Sequence, residues 1–88
     1  QTVHGSFFFI RYLPNKSRSA RIAISISKNV ARTAVRRNAL RRIYTNLAVM
    51  HRLRTVPIDG VIVITKSIVG KAREEIKRDF EINIKKLC

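Results

Sequence analysis

RIAISISKNVARTAVRRNALRRIYTNL, residues 21–47, changes its hydrophobic period partway along. From Arg21 to Lys28 the alternation has a period of two. Ile22, Ile24 and Ile26 face one way, and Ala23, Ser25 and Ser27 face the other, which predicts a strand with one apolar and one small polar face. Thr33 is a suitable N-cap, and from there a helix is predicted to about Met50. At about 100° per residue, Leu40, Ile43, Tyr44 and Leu47 fall in one arc that should meet a sheet, while Arg37, Asn38, Arg41 and Arg42 point away from it. Arg36 falls near the apolar arc, at the start of the helix.

The segment 31–47 contains Arg32, Arg36, Arg37, Arg41 and Arg42 and no acidic residue. Arg37 and Arg41 form a like-charge i, i+4 pair costing about 0.2 to 0.5 kcal/mol, and cations in a first turn oppose the helix macrodipole. Helix stability therefore does not account for the pattern. An ordinary solvated charged face would interleave both signs. Phosphate binding does account for it, because a guanidinium fork grips two phosphate oxygens and also stacks on bases.

Outward from this segment, SFFFIRYL (6–13) is aromatic and β-branched, and the polar LPNKSRSA after it predicts a hairpin turn into the strand 21–28. Beyond the helix, HRLRTVPIDG breaks the periodicity, VIVITK (61–66) is a compact apolar strand, and a last helix is predicted from Gly70. It would place Ala72, Ile76, Phe80, Ile84 and Leu87 on one stripe. The expected fold is α+β, order β-β-α-β-α, in one domain spanning 1–88.

The chain has 88 residues, 19 Lys+Arg against 5 Asp+Glu, and a formal net charge of +14. A small domain tolerates such self-repulsion most easily beside a polyanion, so nucleic acid is the expected partner. The asymmetry along the chain sharpens this: no acid precedes Asp59, whereas 12 basic residues do. The single cysteine, Cys88, cannot form an internal disulfide, and with two distant histidines it makes no metal-ligand cluster. No apolar run reaches the ~18 residues of a membrane span and no signal-peptide pattern opens the chain, so a cytoplasmic protein is expected. His4 and His51 are expected to be isolated surface residues, and no paired carboxylates or Ser-His-Asp set predicts catalysis by the chain itself.

The strand end Ser25, Ser27, Lys28, followed on the helix by Ala34, Arg37, Asn38, Arg41 and Arg42, resembles the signature of the bacterial ribonuclease P protein subunit. The preceding strand pair and the later strand and terminal helix are similar too, so the resemblance covers nearly the whole chain. Family members usually continue with a basic residue after the Asn and another Arg one turn beyond the last basic pair, where this chain has Ala39 and Thr45. The family's basic N-terminal helix, which normally precedes the first strand, is expected to be missing before Gln1.

The resemblance implies a two-layer α-β sandwich with a mixed sheet and a left-handed βαβ crossover, an exception to a rule that holds in about 98% of cases. It implies that ribonuclease P RNA performs the cleavage with magnesium held by the RNA, while the protein binds that RNA and the 5′ leader of precursor tRNA. No cofactor of the protein alone, no membrane and no protein partner are implied. The RNA-binding residues would be Lys28, Arg32, Arg36, Arg37, Asn38, Arg41 and Arg42.

Alternation in SFFFIRY sets Phe7, Phe9 and Arg11 on one sheet face and Phe8, Ile10 and Tyr12 on the other, without deciding which is core. Aromatic rings beside an arginine suit a single strand, since any base can stack on them. The leader cleft is assigned to Phe7, Phe9, Arg11, Arg21, Ser25 and Ser27, and is expected between the signature helix and the sheet. The competing reading is a small basic ribosomal or general RNA-binding protein with no role in cleavage.

Overall fold

Ile58–Ile64 is apolar on both faces, which suits the interior of a sheet, and the structure places it there. The computed structural model describes residues 1–16, 20–51 and 53–86. Its elements are β1 (Thr2–His4), β2 (Phe8–Pro14), β3 (Arg21–Ser25), α1 (Ala34–Met50), β4 (Ile58–Ile64) and α2 (Arg73–Ile84), with short 3-10 turns at Leu53–Thr55 and Lys66–Ile68. The predicted order β-β-α-β-α is thus preceded by a three-residue strand that the sequence pattern did not reveal.

The sheet order is β1-β2-β4-β3. β4 runs antiparallel to β2 and parallel to β3, so the sheet is mixed. The predicted hairpin is thereby corrected: β2 and β3 are consecutive but not neighbours, because β4 lies between them. The physical reason lies in composition. β4 can be covered on both edges and on one face, whereas β3, with small Ala23 and Ser25 on its second face, is suited to an edge. β3 also ends at Ser25 rather than Lys28, and α2 begins at Arg73, leaving Ala72 exposed and outside the apolar stripe. Leu87, assigned to that stripe, and Cys88 lie outside the described residues.

Both helices cover one sheet face. Ile10, Ile62 and Ile64 meet Tyr44 and Leu47 of α1 and Ile76, Phe80 and Ile84 of α2 in a single core. At its centre Phe8, Tyr44 and Phe80 pack with ring centroids 5.5 to 6.0 Å apart, each such pair adding about 0.5 to 1.5 kcal/mol beyond area burial. Asp79, buried on α2, accepts hydrogen bonds from the backbone N–H of Ser6 (2.8 Å) and Phe7 (3.1 Å), and Asn83 Nδ2 donates to it at 3.0 Å. This carboxylate ties α2 to the start of β2. A side chain at Gly5 would place its Cβ 2.5 Å from the Phe8 ring and 2.9 Å from Asp79 Oδ2, so only glycine fits that turn.

Candidate nucleic-acid interface

The face of the sheet away from the helices is uncovered. Burial now decides the alternation left open by the sequence: Phe8 and Ile10 are core and Tyr12 packs against it, while Phe9, Arg11 and Leu13 face outward. Strand register then lines up rows of side chains. His4, Phe9, Val63 and Ser25 form one, Thr2, Arg11, Val61 and Ala23 the next, and Leu13, Asp59 and Arg21 the third.

Within these rows the Arg11 guanidinium carbon lies 5.4 Å from the Phe9 ring centroid, and His4 lies 5.8 Å from it on another side. A shallow depression of about 690 Å3 runs over Thr2, Arg11, Leu13, Arg21, Ala23, Asp59 and Val61. It is lined by strand residues and Gln1, so the expected cleft between the arginine helix and the sheet is corrected. α1 closes that space by packing Tyr44 and Leu47 onto the sheet, and the open surface is the opposite face.

Of the assigned cleft residues, the structure brings together Phe9, Arg11, Arg21 and Ser25. Phe7 sits in the bend before β2, half-buried against the core, with the Lys71 ammonium 5.8 Å from its ring centroid. Ser27 follows β3, where its carbonyl accepts from Val30 and Ala31 N–H. Arg21 is not a free cation: its Nε and Nη2 donate to Asp59 Oδ1 (2.9 Å) and Oδ2 (2.7 Å), and Asn15 Nδ2 donates to Oδ1 at 2.8 Å. Those hydrogen bonds, from Arg21 foremost and then Asn15, hold the Asp59 carboxyl below the usual carboxylate range.

α1 starts as its sequence predicts, with Thr33 Oγ1 accepting from Arg36 N–H at 3.2 Å. Arg32, Arg36, Asn38, Arg41 and Arg42 are exposed, as is Lys28 in the turn before the helix. Arg41 Nη1 donates to Asn38 Oδ1 at 3.2 Å, and no carboxylate pairs with any of these cations among the described residues. Arg36, near the apolar arc on the wheel, is carried into solvent at the helix start.

Arg37 departs from its predicted place. It is half-buried, and its Nη1 donates to the carbonyls of Ala31 (2.9 Å) and Arg32 (3.2 Å). Seven residues before Tyr44 and eleven before Ala48, both buried, it shares their side of the helix. No sheet lies beneath the first turn, so the guanidinium satisfies the carbonyls of the preceding loop instead.

His51 is also corrected from an isolated surface residue. It caps α1, half-buried, with its ring centroid 5.9 Å from that of Phe80 and Nε2 3.2 Å from Glu81 Oε2. Sequence reasoning missed Asp79 altogether. Its signal was an acid next to Phe80 and three residues from Ile76, on the side of α2 that faces the core. Among the described residues no three His, Cys, Asp or Glu side chains form a group able to hold a metal, and no helix is long and apolar enough to cross a membrane.

A mixed four-stranded sheet with two helices on one face, one of them bearing an acid-free array of arginines, defines a basic two-layer α+β protein. The family model described as Ribonuclease P matches residues 1–88, and the chain belongs to that family. A ribonuclease P protein component from Thioalkalivibrio sulfidiphilus is 31% identical over 67 residues, covering 76% of this chain and 56% of that protein. The chain thus spans little more than half the length of this curated relative. The Staphylococcus aureus RNase P protein superposes with a TM-score of 0.86 at 22% identity, covering 97% of this chain and 78% of that one. The Thermotoga maritima RNase P protein gives 0.81 at 15%, covering 93% and 78%. These two share the fold, and the family match parts this chain from the ribosomal alternative.

Proposed function

We propose that this chain is the RNA-binding protein component of a ribonuclease P, gripping the catalytic RNA through α1 and the 5′ leader of precursor tRNA through the open sheet face. The observation that supports it most is the set of exposed arginines on α1, Arg32, Arg36, Arg41 and Arg42, with no carboxylate partner among the described residues. Such a face costs self-repulsion when free and is relieved by phosphates. The sheet face has the complementary chemistry for a single strand, Phe9 as a stacking surface and Arg11 beside it.

In this reading the protein is not the catalyst, and it works in the cytoplasm. Its described carboxylates are committed elsewhere: Asp59 to Arg21, Asp79 to backbone amides, Glu81 to His51. They do not fit a magnesium site, so the magnesium that the chemistry needs is assigned to the RNA. What the protein supplies is charge neutralisation and strand positioning.

Reconstitution with a bacterial ribonuclease P RNA at low magnesium, scoring release of the 5′ leader, tests the proposal. Protein-dependent stimulation, with no cleavage by the protein alone, is the expected result. Binding of the RNA without stimulation would leave a general RNA-binding protein.

A further inference from the structure

A second basic depression lies away from both surfaces assigned above. Between α1 and α2 is a groove of about 400 Å3, walled by Arg42, Arg73 and Lys77 and floored by Ala39, Ile43, Leu47 and Met50, with Asn46 at its lip. Its size is at the small end for a ligand site, suited to one planar group and not to a duplex. None of the three cations has an ion pair or hydrogen bond among the described residues. Arg73 and Lys77 also stand as a like-charge i, i+4 pair on α2, an arrangement unfavourable for the helix alone.

The groove is continuous with the arginine face. A separate depression on α1, lined by Asn38, Arg41, Arg42, Thr45 and Asn46, shares Arg42 and Asn46 with it. A strand held on Arg41 and Arg42 can therefore continue between the helices without leaving positive charge. We propose that the α1–α2 groove takes one unpaired nucleotide of the ribonuclease P RNA, its phosphate on Arg42, Arg73 and Lys77 and its base against Ile43 and Met50. This rests on the reading of the chain as a binder of that RNA. Charge favours the phosphate, and the apolar floor favours an unstacked base over a phosphate alone.

Two variants test the groove without touching the arginines of α1. Ala39→Trp fills it from an exposed position without changing charge. Binding of the full chain to a ribonuclease P RNA transcript should weaken tenfold or more, with the salt slope and melting temperature retained. The double variant Arg73→Ala, Lys77→Ala should weaken binding to a similar extent and lower the salt slope by about 1.5, for two lost phosphate contacts. If both variants are folded and bind the transcript as the unmodified chain does, the groove is not a nucleotide site. A loss confined to precursor tRNA would overturn it equally. If the unmodified chain binds no ribonuclease P RNA, the functional reading fails and takes this inference with it.

Discussion

On α1, Arg32, Arg36, Arg41 and Arg42 stand in solvent with no carboxylate partner among the described residues, whereas on the open sheet face Arg21 is clamped by Asp59 and Arg11 lies over Phe9. The two faces thus hold similar cations in different chemical states. Charge left unneutralised acts at long range and releases counterions on binding, giving affinity that depends steeply on salt. Charge already paired, or set beside a ring, contributes orientation and stacking that salt affects less. The difference suits α1 to a phosphate backbone and the sheet to an unpaired strand.

The largest expected effect is on the helix. Arg41→Ala with Arg42→Ala removes two charge-assisted phosphate contacts, each about 1.5 to 3 kcal/mol, so RNA affinity should fall at least a hundredfold. The salt slope should fall by about 1.5 and melting should hardly move. A salt titration of both proteins would expose an error, since an unchanged slope means these arginines do not meet phosphates.

Phe9→Ala should weaken binding of a single-stranded leader by about 1 to 3 kcal/mol while leaving the salt slope alone. Fluorescence anisotropy with a labelled leader measures both. Equal losses of slope in the helix and sheet variants would erase the distinction between the faces.

Arg37 sharpens the comparison from within the helix. Its bonds to the Ala31 and Arg32 carbonyls predict that Arg37→Ala costs about 1 to 2 kcal/mol of stability, lowering the melting temperature by roughly 5 to 10 °C. Thermal unfolding decides whether this arginine is structural, as its hydrogen bonds require, or a free cation like Arg41.

The smallest effect concerns the sheet's own acid. Asp59→Asn should release Arg21, raising the salt slope of leader binding by about 0.7 to 0.9 with little change in melting. Because the Asp59 carboxyl is held below its usual range, the pair's contribution is present above about pH 4 and lost as pH falls through the lowered value. Acid titration of the unmodified chain should therefore show a small loss that the Asn variant lacks.

Periodicity was sufficient for every element whose residues meet a single partner layer. α1 emerged with its cap, its apolar arc and most of its exposed arginines, and β2 emerged with its two candidate faces. It failed where a residue's partner is distant in sequence. Thr2–His4 is too short to show a period, and it is a strand only because β2 pairs with it. Arg37 and His51 were misplaced because each is held by groups that a helical wheel does not contain.

By itself the sequence determined the class of elements, the excess of positive charge and the cationic helix, because these depend on side-chain spacing over a few turns and on composition. Only the tertiary structure decided that β4 separates β2 from β3, that Phe9 and not Phe8 faces outward, and that Arg21 is neutralised by a residue 38 positions away. Strand order and ion pairing are settled by which apolar faces can be buried together in one core. That is a property of the assembled chain and is written in no local window.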